Sequence, residues 1–266
     1  MRKIVLTLCV ISLLSGCDMF DYHPYDTRFG GETDINAHHI SEIESTLANK
    51  DTIRIALISD THEWYSDMID VIDNINARDS IDFVIHLGDL TDDGTTREFQ
   101  WARDKLDKLQ KPYVALIGNH DFLGTGDDVF ESMFGKLDYS FIAGRVKFIC
   151  LNTNATEYDY LAAVPNFDFL ESERVADSSR FDRTVLCMHA RPYSDQFNNN
   201  VAKAFEHYVQ SLPGIMFCVN GHDHSVQETQ IFNDGITYYG VDCANHRHYA
   251  IVTITPKSYH YEVISF

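Results

Sequence analysis

Five times along this chain an apolar run of four or five residues ends on a short polar group, and that repetition constrains the fold more than any other feature. Ile55-Ala56-Leu57-Ile58-Ser59 leads into Asp60 and His62, and Val84-Ile85-His86-Leu87 leads into Gly88 and Asp89. Val114-Ala115-Leu116-Ile117 precedes Gly118, Asn119 and His120; Val185-Leu186-Cys187-Met188 precedes His189; Phe217-Cys218-Val219-Asn220 precedes Gly221, His222 and His224. Continuous apolar runs bounded by turn residues read as strands buried on both faces. Open α/β sheets gather ligands at the carboxyl ends of their strands, so five such endings predict five strands delivering polar side chains to one rim.

Between these runs the pattern alternates. Strands are expected over Ile53–Ser59, Phe83–Leu87 and Tyr113–Ile117, with helices over Ser66–Asn76, Thr95–Leu109 and Asp128–Phe134. The second half is richer in strands: Tyr139–Phe141, Val146–Leu151, Thr184–Met188, Ile215–Val219, Val226–Phe232, Thr237–Val241, Ile251–Ile254 and Tyr259–Ile264, with helices near Phe167–Ala176 and Val201–Ser211. Two mixed β-sheets packed face to face, flanked by helices, accommodate both halves. With 266 residues and 44% hydrophobic side chains, the chain has material for one catalytic domain, expected over 52–266.

The amino terminus reads differently. Arg2 and Lys3 precede an apolar stretch from Ile4 to Leu14, too short to span a bilayer and expected to be a signal peptide over 1–16. Leu14-Ser15-Gly16-Cys17 resembles the lipobox of bacterial lipoproteins, which implies lipidation of Cys17, export, and a membrane-anchored protein on the periplasmic or cell-surface side. Acyl chains on Cys17 would hold the membrane firmly, each buried methylene adding roughly 0.8 kcal/mol. Residues 17–51 are expected to form a tether and a helix over Ile35–Leu47 capped by Asp34, partly packed on the domain. Cys150, Cys187 and Cys218 fall inside apolar runs and read as buried free thiols, whereas Cys243 has no assignment.

A formal charge of −19 makes a nucleic acid polymer an unlikely partner, because such a surface repels polyanions. A local metal charge can still draw in a small phosphoester. The residue types at the five endings suit that role. Two cations about 3.5–4 Å apart need a bridging carboxylate, which Asp can supply, and terminal ligands such as neutral His and an Asn carbonyl that limit accumulated charge. Glycines at 88, 118 and 221 let the backbone turn sharply just before a ligand.

Written as D-x-H, GD, GNHD, H and GH-x-H, the five groups resemble the motifs of the calcineurin-like metallophosphoesterase superfamily over residues 53–224. The resemblance implies a four-layer α/β/β/α sandwich and two divalent metal ions, Mn, Fe or Zn by their N/O ligands. It implies that Asp60, His62 and His224 hold one ion, that Asn119, His189 and His222 hold the other, and that Asp89 bridges them. His120 would be the acid facing the leaving oxygen, with Asp121 orienting it. The implied reaction is hydrolysis of a small phosphodiester or phosphomonoester by a metal-bridging hydroxide.

Departures narrow the branch. Serine/threonine phosphatases of the superfamily carry an arginine in the segment occupied here by Gly88–Gly94 and a glutamate in place of Asp121. Purple acid phosphatases have a tyrosine where Asp92 stands and lack a counterpart of His62, and lipid A precursor hydrolases usually carry arginine in place of His120. The remaining likeness is to class III cyclic nucleotide phosphodiesterases. Alternatives are a catalytically silent envelope-binding lipoprotein on the same fold and a nuclease. Asp92 is either a support for a metal ligand or a turn residue; His86 reads as a packed histidine, and His38 and His39 as surface residues. Arg191 and the cluster Asn245-His246-Arg247-His248 are read as solvated loop or as cleft lining, with Arg247 the candidate phosphate contact. The motifs leave oligomeric state open.

Overall fold

The computed structural model describes His23, residues 25–158 and residues 163–266; the expected signal peptide and Cys17 lie outside the described residues. Eleven strands form two sheets among them. The first is β11-β10-β1-β2-β3, built from β1 (Ile53–Ile58), β2 (Phe83–His86), β3 (Tyr113–Ala115), β10 (His248–Ile254) and β11 (Tyr259–Ser265). The second is β4-β5-β6-β7-β9-β8, from β4 (Tyr139–Ala143), β5 (Val146–Leu151), β6 (Arg183–Met188), β7 (Ile215–Asn220), β8 (Gln227–Thr229) and β9 (Thr237–Gly240). In the first sheet β1, β2 and β3 run parallel while β10 pairs antiparallel with both β1 and β11; in the second, β5, β6, β7 and β9 run parallel and the outermost strands β4 and β8 pair antiparallel.

The alternation of side chains along each strand explains the layering. Ile55 and Leu57 of β1, Phe83 and Ile85 of β2, Val185 and Cys187 of β6, and Phe217 and Val219 of β7 meet in one core between the sheets. Ala56, Ile58 and Val84 face the opposite way, onto α2 (Tyr65–Asn76), α3 (Thr96–Leu106) and α4 (Gly126–Met133). Leu186, Met188 and Cys218 face a third core under α5 (Phe167–Val175) and α6 (Ala202–Ser211). The result is the four-layer α/β/β/α sandwich. In the middle layer Phe83 stands edge-on to Phe141 and Phe148 at centroid distances of 5.7 and 5.5 Å. Truncating one of these rings to alanine would cost about 3–5 kcal/mol.

Helix α1 (Ile35–Leu47) closes one side of the sandwich, packing on β3 and β4. The Asn36 amide donates to the Ala115 carbonyl (2.9 Å) and accepts from the Ala115 amide (2.8 Å), satisfying the strand edge as a neighbouring strand would. The expected cap of this helix does not form. Asp34 has a left-handed backbone (φ 53°) and its side chain makes no capping bond. Thr95, in contrast, caps α3 in a reciprocal pair with Glu98. Two strand expectations also change. The Val226–Phe232 run pairs only over Gln227–Thr229 before the chain turns at Gln230–Asn233, and β10 begins at His248 rather than Ile251 because His248 still pairs with Ser265. Cys150, Cys187 and Cys218 are buried free thiols.

Candidate metal centre

Strands β1, β2, β6 and β7, together with the segment after β3, end at the same rim and deliver the five polar groups to one place. Asp60, His62, Asp89 and His224 bring ligand atoms within 4.8 Å of one another; Asp89, His189 and His222 do the same, so the two groups share Asp89. Asn119 joins the second group, its Oδ1 lying 3.1 Å from His189 Nε2 and 3.0 Å from His222 Nδ1. A third group unites His62, Asp92 and His120.

The backbone is bent to make this possible. Asp60 (φ 50°), Asp89 (58°), His222 (69°) and His224 (45°) all occupy the left-handed region, rare for residues with a side chain. Gly118 has another constraint: a Cβ there would fall on the amide and carboxylate of Asp89, so only glycine lets the third motif approach the second.

The imidazoles of His189 and His222 each have one nitrogen fixed by an outer partner. His189 Nδ1 donates to the Leu87 carbonyl (2.8 Å), leaving Nε2 3.3 Å from Asp89 Oδ2. His222 Nε2 bonds to Asp195 Oδ1 (2.7 Å), leaving Nδ1 toward Asn119. Such outer contacts set the tautomer of a metal-binding histidine. Asp195, six residues past His189 in an irregular loop, carries no motif or strand-end signal and was not anticipated.

The donors fit a divalent cation. His62 is buried, yet neither ring nitrogen finds a hydrogen-bond partner; Nε2 sits 3.9 Å from Asp89 Oδ2 and Nδ1 3.5 Å from Asp92 Oδ1. Orphaned buried imidazole nitrogens are costly unless something else satisfies them. Burial opposes ionisation of Asp89, but His189 beside it, with His120 and His62, outweighs burial and holds the carboxyl well below its ordinary range. His189 is affected reciprocally: burial works against its proton, but Asp89, Asp60 and the Leu87 carbonyl push it up to about 10. His189 and Asp89 would hold a cation there, which would stand in the place of that proton.

His120 stacks on His62 at 4.5 Å and donates from Nδ1 to the Asp92 carbonyl (2.9 Å), which leaves Nε2 for proton exchange. Burial disfavours its proton, yet the Asp92 carbonyl and the charges of Asp89, Asp121 and Asp92 together raise its pKa. The expectation that Asp121 orients His120 needs correction. Asp121 is fully buried and accepts from the amides of Leu90, Thr91 and Gly118 and from the Thr91 hydroxyl, so it braces the loops while Asp92 holds the ring. Burial and the neighbouring Asp89 push the Asp121 carboxyl up to about 7.

The other candidates separate cleanly. His86 is fully buried against Thr61 Oγ1 (2.9 Å) and the Gly88 amide, as a packed histidine. Arg191 pairs with Asp223 (2.6 Å), between the two histidines of the last motif. Arg247 is turned onto Asp70 (2.7 Å) and the Phe266 carbonyl, the arrangement of the solvated loop rather than of the cleft lining. His38 pairs with Glu32, whereas His39 bonds the Tyr113 carbonyl and is not a plain surface residue.

Residues 53–226 match the family profile described as calcineurin-like phosphoesterase. This chain belongs to that family. As a calcineurin-like phosphoesterase it is a metal-dependent hydrolase of phosphoesters. A 3',5'-cyclic-nucleotide phosphodiesterase of Nostoc is 32% identical over 119 residues, and the match spans 44% of this chain and 44% of that protein. A 3',5'-cyclic adenosine monophosphate phosphodiesterase of Vibrio vulnificus is 23% identical over 72% of this chain and 76% of its own length. Among solved structures, a dimetal phosphatase from Danio rerio superposes with a TM-score of 0.62 at 12% identity, covering 80% of this chain and 99% of that one. A purple acid phosphatase from yellow lupin gives 0.65 at 13% identity over 82% and 52%. At these identities the two structures establish the fold.

Proposed function

We propose that this calcineurin-like phosphoesterase hydrolyses a small phosphodiester, with a cyclic nucleotide as the leading substrate class, using two divalent ions (Mn, Fe or Zn) in adjacent sites. The observation that carries the reading is the sharing of Asp89 between two ligand groups. Asp60, His62 and His224 serve one ion, Asn119, His189 and His222 the other, and Asp89 both. When bound, the ions supply Lewis acidity at the phosphoryl group and lower the pKa of water. The chain supplies the rest. Asp195 and the Leu87 carbonyl hold His222 and His189 in ligating tautomers. Asp92 holds His120 so that Nε2 delivers a proton to the leaving oxygen, and the Asp92 carbonyl and the surrounding carboxylates favour the protonated ring.

Trp64 supports the nucleotide class. The indole is partly exposed and lies against His62 (5.2 Å) and edge-on to His224 (5.6 Å), a flat apolar surface beside the ligand cluster on which a base can stack. The names of the Nostoc and Vibrio relatives agree with this class. Export and anchoring through Cys17 are part of the same proposal, supported by Leu14-Ser15-Gly16-Cys17. They are tested by palmitate labelling that Cys17→Ser must abolish.

The decisive experiment measures metal content and turnover on one preparation, over cyclic nucleotides, bis(p-nitrophenyl) phosphate and phosphomonoesters. Two equivalents of metal bound at the Asp89 site and preferential cleavage of a cyclic nucleotide are expected. One equivalent there, or turnover confined to monoesters, would overturn the reading.

A further inference from the structure

A second set of metal-type donors lies outside the centre described above. After β9 the chain runs through Asp242 and Cys243, makes a single 3-10 turn over Ala244–His246, reverses at Arg247 (φ 58°) and enters β10 at His248. The turn places His246 over Cys243, and the reversal brings His248 back to the same carboxylate. His246 Nδ1 lies 2.8 Å from Asp242 Oδ1 and His248 Nδ1 lies 2.9 Å from Asp242 Oδ2. Cys243 Sγ lies 3.5 Å from His246 Nδ1, 3.6 Å from Asp242 Oδ1 and 3.0 Å from Asn245 Oδ1. Arg247 locks the turn from outside through its pair with Asp70 and its bond to the Phe266 carbonyl.

The Asp242, Cys243 and His246 donor atoms all fall within 4.8 Å of one another. Around that point stand a thiol sulfur, a carboxylate oxygen, an amide oxygen and an imidazole nitrogen. Asp242 Oδ1 also accepts from the Cys243 amide (2.9 Å), and a single cation can draw on the lone pairs that these hydrogen bonds leave on the four groups. Asp242 and Cys243 are buried while His246 is 52% exposed on its side chain, so the point is walled on one side and open to solvent on the other.

The geometry points to a zinc site formed by Cys243 Sγ, Asp242 Oδ1 and His246 Nδ1, with the fourth position open to Asn245 Oδ1 or solvent. A thiolate with imidazole and carboxylate selects zinc over the harder cations that oxygen donors favour. On binding, the thiol proton passes to solvent. His248, bonded to the other oxygen of Asp242, fixes the direction in which Oδ1 points. Cys243 pairs with Ser59 in an isolated parallel bridge, and the Ala244 amide donates to the Asp60 carbonyl (3.2 Å). An ion here therefore stiffens the strand end that carries Asp60.

Cobalt tests the site independently of activity, because the Asp89 centre contains no sulfur donor and a thiolate bound to Co²⁺ has its own near-ultraviolet charge-transfer band. Full-length protein stripped with chelator and titrated with Co²⁺ should show that band. Cys243→Ser and His246→Ala should each abolish it and lower retained zinc by one equivalent, Asp89→Ala should keep it, and His248→Ala should weaken cobalt binding by about 10–100-fold. His246→Ala guards against a folding defect in Cys243→Ser, since His246 is half exposed. Absence of the band in the wild type, or its survival in Cys243→Ser, would overturn the proposal.

Discussion

The two sheets contribute unlike chemistry to one rim. The first sheet brings Asp60, Asp89 and, beyond β3, Asn119, together with His62; the second brings His189, His222 and His224, all imidazoles. Two fully buried histidines show what that division does. His86, in the first sheet, is held down to about 3 because burial outweighs the pull of Asp60 and Asp89, whereas His189, in the second, is driven up to about 10 because Asp89 is in contact with it. Equal burial gives opposite protonation; contact with one carboxylate decides.

The largest effect should come from removing that carboxylate. Asp89→Ala is expected to lose both ions of the centre and all measurable turnover, by metal analysis and steady-state assay on the same sample; full occupancy would break the division into an acidic and an imidazole half. His120→Ala should retain metal and lose about 10²–10⁴ in kcat. A matching drop in metal content would instead make His120 a ligand. On the imidazole side, Asp195→Ala should weaken metal affinity about 10–100-fold, with activity restored by excess metal. Trp64→Ala should raise KM for a cyclic nucleotide about tenfold, given roughly 1–3 kcal/mol for a stacked base, while leaving a dialkyl phosphodiester unaffected.

The smallest effect concerns His86. Its folded pKa of about 3 lies below the ordinary 6.5, so below pH 6.5 the unfolded chain takes up a proton that the folded chain refuses. Stability is therefore complete above that pH and falls as pH drops toward 3. Between pH 6.5 and 5 this amounts to roughly 1–2 kcal/mol. Urea midpoints of chelated protein at pH 7.5 and 5 should show the loss, and His86→Gln should reduce it; an identical slope in the variant would remove His86 as its source.

Much of this was legible because strand burial and ligand placement share one signal, an apolar run ending on a polar residue. Asp60, Asp89, Asn119, His189, His222 and His224 are each read from such an ending and the fold brings them together, while the two sheets follow from the alternating first half and the strand-rich second half. Asp195 was not legible, since it reaches His222 across 27 positions of sequence from a loop without periodicity. Asp34 failed as a cap because its backbone dihedrals, which the sequence does not display, turn it left-handed. The role that the resemblance implies for Asp121 differs from its contacts, because the 3-10 turn at His120–Phe122 sends the two side chains to different partners. Cys243 and His246 lie on a turn too short for spacing to reveal.

The left-handed backbone at Asp60, Asp89, His222 and His224 has a consequence for substitution. Each such position costs roughly 1 kcal/mol or more for a residue with a side chain, and a β-branched replacement would find it harder still. The main chain thus selects against Val, Ile and Thr at these four positions on its own account, whatever the side chains there do.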